Sequence, residues 1–193
     1  MSTKLWVILA VVIVAIYAVS GMNSIPVLEE SVNAKWADVQ NQYQRRADLI
    51  PNLVETVKGY ANFEQKTLTD VTEARASATK VVITPENLSD PEAMKKFEAA
   101  QGQLSSALSR LMVASERYPD LKANTNFIAL QSQLEGTENR IAVARNDYIA
   151  AVRDYNIRVR TFPGSLWASM KGARPKQEFT AADSAATAPA VKF

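Results

Sequence analysis

Phe127, Leu134, Ile141, Tyr148, Tyr155 and Phe162 stand at strict seven-residue intervals. In an α-helix such a spacing lines every one of these side chains along a single stripe, and a stripe that apolar needs another helix against it. Leu130, Ala144, Ala151, Val152 and Val159 widen the stripe. Upstream, Phe97, Leu104, Leu111 and Tyr118 repeat the pattern, with Ala100, Ala107 and Leu108 on the same face. Earlier still, apolar residues alternate by three and four through Val32, Trp36, Val39 and Tyr43, then Ile50, Leu53, Val57 and Tyr60, and later Leu68, Val71, Ala74 and Ala78. That alternation is the signature of a packed helix face. Only six glycines occur in 193 residues, so long helices meet few weak points. The chain is therefore expected to be all-α, a bundle of long antiparallel helices crossing at about 20°.

Prolines and caps set the expected boundaries. Pro26 suits a first turn, and helix is expected over about 27–80, as one element or two nearly collinear ones. Pro51 removes the hydrogen bond to the carbonyl of Ala47, which predicts a kink or short break near 46–51 with Asp48 as a cap. Residues 81–91 hold two prolines and read as a loop. Asp90-Pro91-Glu92 looks like a helix start, giving a second helix over 91–117 that Pro119 ends. A third is expected over 122–162, closed by Pro163-Gly164, and a short amphipathic one over 165–171. The soluble bundle thus covers 26–171. Residues 172–193 are rich in Ala, Thr, Ser and Pro, and read as a disordered tail.

At the other end, Leu5 to Val19 (LWVILAVVIVAIYAV) is apolar and uncharged, and the stretch runs on to Met22. As helix, residues 5–22 would measure about 27 Å, close to a hydrocarbon core of about 30 Å. Three readings compete: a retained anchor, a cleaved secretory signal, and a buried core helix. The length of the apolar core and the bulky Tyr17 beside Ala18 and Ser20 favour the anchor over the signal. The terminal position and all-round apolarity disfavour a core helix. Residues 1–22 are accordingly expected to be a transmembrane anchor. Lys4 precedes the segment and Glu29 and Glu30 follow it, so the positive-inside bias puts the bundle outside the cytoplasm.

Net charge is +2 from 22 basic and 20 acidic residues, which is no footprint for nucleic acid. The chain has no His and no Cys. It therefore lacks the usual general base, the commonest metal ligand and any disulfide. The densest polar stretch is Gln44 to Leu53, with Arg45, Arg46, Asp48, Pro51 and Asn52. Arg46 shares its heptad position with Val39 and Leu53, so it is expected to point into a helix interface. It would pair with Glu64, Glu135 or Glu138 and fix helix register, or else serve an interface between subunits. A catalytic role would need an activated nucleophile or base beside it. A second stretch, around Tyr118, Pro119 and Lys122, reads as a structural corner between two helices. A third carries Glu138, Asn139, Arg140 and Arg145, a charge-laced helix face in which Arg140 and Asp147 share a side. The carboxylates suit a hard cation, but their spacing does not demand one.

Three ordered blocks, QRRADLIPNLVETVKGYANFE, ERYPDLKANTNFIALQSQLEGTENRIAVARNDYIAAV and DYNIRVRTFPGSLWA, together resemble the LemA family of bacterial membrane proteins. The resemblance covers about Pro26 to Trp167. It rests on Arg45, Arg46, Asp48, Leu49, Pro51, Asn52 and Leu53, on Tyr118, Pro119, Leu121, Lys122 and Ala123, and on Glu138 to Ile141, Tyr155-Asn156 and Phe162-Pro163. Many members have Tyr-Asn where this chain has Tyr148-Ile149. The resemblance implies a membrane-attached helical bundle with no established enzymatic activity. Its members are often encoded near membrane metalloproteases, which points to the bacterial cell envelope. The expectation is a single-pass protein of the inner (cytoplasmic) membrane, held in the lipid bilayer through residues 5–22. It would be a non-enzymatic scaffold without cofactor or metal, self-associating as a homo-oligomer or docking another envelope protein such as a membrane protease. The alternatives are a lipid-surface module built on Trp167–Met170 with Lys171, Arg174 and Lys176, and an enzyme using carboxylates and arginine alone.

Overall fold

The computed structural model describes residues 3–60 and 64–179. Among these the chain is all-α, with no strand. Helix α1 runs over Thr3–Lys58, 56 residues without a break, or about 84 Å. It contains the whole apolar segment and continues into the bundle. Helix α2 covers Gln65–Lys80. A short 3-10 turn over Pro85–Ser89 leads to α3 at Pro91–Ser115. The single turn α4 (Pro119–Lys122) joins α3 to α5, Thr125–Arg160, and α6 follows at Gly164–Lys171.

Local chemistry sets these ends. Asp90 accepts the Glu92 N–H at 2.9 Å and Pro91 fills the first position of α3, where its missing donor costs nothing. Asn124 caps α5 by accepting the Phe127 N–H at 3.0 Å. Gly172 closes α6 at φ +66, a conformation that side chains with a Cβ resist.

Two sequence expectations fail in the first eighty residues. The expected break over 46–51 is absent: α1 stays helical through both Pro26 and Pro51. The carbonyl of Ala47, which Pro51 leaves without its helical donor, instead accepts a hydrogen bond of 2.7 Å from Arg75 Nε on α2. Nor are the elements of 27–80 collinear, for the chain reverses after Lys58 and α2 returns along α1. The apolar side chains Leu68, Val71 and Ala78 reach the core only on that return.

The bundle is built on α1. Helix α5 lies antiparallel along it, with Asp147 opposite Lys35, Tyr148 beside Trp36 and Arg158 opposite Ser24. Helix α3 packs on α2. Two apolar clusters result. The one nearer the apolar segment holds Ile25, Val32, Trp36, Val39, Phe97, Ile141, Tyr148 and Tyr155. The distal one holds Ile50, Leu53, Val57, Val71, Leu104, Leu111, Phe127 and Leu134. Trp36 is the hub of the first: its ring meets Phe97, Tyr148 and Phe179 with centroids 5.3, 5.2 and 6.0 Å away. Its Nε1 donates to the Ile83 carbonyl at 3.1 Å.

The tail departs from expectation as well. Residues 173–179 are an extended strap laid back along the bundle, with Lys176 and Phe179 buried. Main-chain hydrogen bonds hold it. Gln177 N–H donates to the Leu88 carbonyl at 2.7 Å, and the Gln177 carbonyl accepts from Tyr148 Oη at 2.9 Å. Residues 180–193, the remainder of the expected disordered tail, lie outside the described residues.

Candidate functional site

Arg46 stands between the two apolar clusters, its side chain 1% exposed. Tyr43 on one side belongs to the first cluster and Ile50 on the other to the second. Its guanidinium is nearly saturated. Nη1 donates to Glu138 Oε1 at 2.7 Å and to Ser105 Oγ at 2.8 Å. Nη2 donates to Gln101 Oε1 at 2.6 Å, and its plane lies over the Tyr43 ring at 5.1 Å. Nε alone has no partner. Gln101 in turn donates to the Ala78 carbonyl at 3.4 Å. One arginine from α1 thus engages α3 and α5 directly, and α2 through Gln101.

Of the three carboxylates named for Arg46, Glu138 is the one in contact. Glu64 pairs instead with Arg117 at 3.2 Å, and Glu135 accepts from Gln131 at 3.1 Å. Arg145 lies on the same side of α5 and stacks over Phe179 at 4.3 Å. Burial raises the Tyr43 hydroxyl above its ordinary pKa, while the nearby charges of Arg145 and Arg46 pull it back. Arg46, Glu138 and Arg145 are therefore neighbours in space.

The other named residues lie elsewhere. Arg45, Asp48, Pro51 and Asn52 are exposed on α1, where Asp48 accepts from Gln44 at 2.7 Å. Asn139 and Arg140 are exposed on α5. Asp147, expected near Arg140, bonds Lys35 at 3.0 Å, and that bond raises the lysine pKa. Tyr118, Pro119 and Lys122 sit at the distal end, where Lys122 pairs with Glu116.

Two arrangements lack any periodic signal. In the first, Asn156 grips the strap through both faces of its amide: Nδ2 donates to the Lys176 carbonyl at 2.9 Å, and Oδ1 accepts the Lys176 N–H at 2.8 Å. Lys176 Nζ pairs with Glu29 at 2.9 Å, so the strap is also tied to α1. In the second, Arg158 Nε donates to Ser24 Oγ at 2.7 Å, and Trp167 packs so close to Gly21 that an added Cβ would stand 2.7 Å from its Nε1. Any larger residue would have to displace the indole.

A family model, the LemA family, matches residues 35–193. The chain belongs to the LemA family. The match takes in the Arg46 cluster, α6 and the strap, and begins within α1, after the apolar segment. No curated protein matches the chain. As a LemA-family protein it is an all-α molecule in which a single N-terminal helix, among the described residues, is long and apolar enough to cross a membrane. In this LemA-family chain the described residues hold no group of three or more carboxylates placed to hold a metal.

Proposed function

We propose that this chain is a membrane-anchored helical scaffold of the bacterial cell envelope, which self-associates or docks another envelope protein such as a membrane protease. The observation that carries the reading is the continuity of α1. One helix contains the apolar segment and continues without interruption as the spine of the bundle, so an anchor in the bilayer would pass into the bundle with no linker. From Met22 to Lys58 it extends about 54 Å, so the far end with α4 is held well away from the lipid. Lys4 before the segment and Glu29 and Glu30 after it support a bundle outside the cytoplasm.

The Arg46 cluster supports a structural reading of the polar residues. Its donors are directed at Glu138, Gln101 and Ser105, and these bonds fix the register of α1, α3 and α5. A scaffold without chemistry of its own needs such a layer, because two apolar clusters end to end would tolerate sliding.

Light scattering during size exclusion in detergent, together with crosslinking in native membranes, tests the reading. Oligomers or a reproducible crosslinked envelope protein are expected. A clean monomer with no crosslinked partner would overturn it.

A further inference from the structure

Phe162 continues the heptad series of α5, yet it is 80% exposed. Leu166 and Met170 follow at four-residue steps, 53% and 71% exposed. On α6 the latter two lie opposite Gly164 and Ala168, both buried against the bundle. Three large apolar side chains thus face outward from one short stretch.

The place of this face in the molecule identifies what covers it. Trp167 rests on Gly21, and Arg158 bonds Ser24, so α6 is level with the last turn of the apolar segment 5–22. Within Leu5–Val19 every residue but Ala18 is exposed. If the segment occupies the hydrocarbon, rigid contact with α1 puts the turn at Phe162 and α6 at the bilayer boundary. The chemistry suits that depth. Aromatic and aliphatic side chains lie beside a tryptophan, with the exposed bases Arg160 and Lys171 within reach of phosphates.

We propose that Phe162, Leu166 and Met170 form a lipid-contacting face that seats the bundle on the leaflet its own helix has just crossed. This rests on the anchor reading of α1. The face adds a second attachment, so the bundle is fixed in rotation about the helix axis as well as in depth.

The chain has no cysteine, so single cysteines report one position each. Phe162→Cys, Leu166→Cys and Met170→Cys are labelled with bimane in the full chain, reconstituted in vesicles of phosphatidylethanolamine and phosphatidylglycerol. Val11→Cys in the apolar segment and Val113→Cys on distal α3, both exposed, serve as references. Lipids carrying a shallow nitroxide should quench the labels at 162, 166 and 170 on average at least about twofold more than the label at 113. Quenching at 11 by a deep nitroxide, with the average over 162, 166 and 170 at the level of 113, would overturn the proposal and leave the anchor standing. No lipid quenching at 11 would overturn the anchor reading, and the lipid face with it.

Discussion

Removing Glu138 should cost the bundle more than removing the whole Arg46 layer. Arg46 is 1% exposed and Glu138 46% exposed, so the two ends of this ion pair differ sharply in their access to water. Glu138→Ala leaves a buried guanidinium whose charge has lost its counterion, with only Ser105 and Gln101 as acceptors. Breaking a buried pair in this way costs about 3–5 kcal/mol, and the solvent reaching Glu138 argues for the lower end, about 3 kcal/mol. Arg46→Met alone frees Glu138 to turn outward but strands the buried Gln101 oxygen, at about 1–3 kcal/mol. The double variant Arg46→Met/Gln101→Leu removes the charge and the Gln101 oxygen together, leaving the long bond to the Ala78 carbonyl as the main loss, and should cost about 1–2 kcal/mol, less than Glu138→Ala. Thermal unfolding in detergent, followed by circular dichroism and by the fluorescence of Trp36 in a Trp6→Phe/Trp167→Phe background, reads the series. For a chain of this size Glu138→Ala should lower Tm by about 6–12 °C. A loss below about 2 °C, or a double variant less stable than Glu138→Ala, would refute the view that the layer is held by charge compensation.

Arg75→Ala should cost about 1–3 kcal/mol because it orphans the Ala47 carbonyl, and should cost far less in a Pro51→Ala background, where the helix supplies its own donor; a double-mutant cycle of melting temperatures measures the coupling. Asn156→Ala strips both bonds from the Lys176 backbone and should release the strap, seen as faster limited proteolysis within 173–179 and a red shift of Trp36 as Phe179 leaves its ring. Burial raises the hydroxyl pKa of Tyr43 and Tyr148, and raises that of Tyr155 to about 12. The folded state then keeps protons that the unfolded chain releases near its ordinary tyrosine pKa of about 10. Stability from these groups is full below pH of about 10 and falls as pH rises through the folded values, so ionisation followed at 295 nm should include a late component coincident with unfolding.

Helix faces were readable because burial follows period: Val32, Trp36, Val39, Tyr43, Ile50, Leu53 and Val57 are all buried on α1, as their spacing requires. What failed depended on partners distant in sequence. Pro51 does lose its helical bond, but the rescue comes from Arg75, and nothing local to residue 51 announces it. The heptad series carried Phe162 inward by extrapolation, whereas α5 stops at Arg160 and the turn swings that ring outside. Residues 173–179 have no apolar period at all. Their backbone is held by Asn156, Tyr148 and Leu88, and Phe179 and Lys176 are the isolated side chains that reach the bundle, a mode of docking that periodic patterning does not display. Arg46 was legible as an inward-pointing residue. Which of three glutamates answered it depended on how α5 registers against α1.

The unbroken α1 has a mechanical consequence. A span joined to its domain by a flexible linker isolates that domain from events in the lipid, but a single helix makes the two ends arms of one lever. If α1 crosses the bilayer as proposed, the bilayer is the fulcrum, and a change in tilt of about 10° would sweep the far end, about 54 Å away, sideways by about 9 Å. Tilt of a crossing helix follows bilayer thickness. The position of α4 relative to anything else standing on the membrane would thus vary with the lipid composition beneath it.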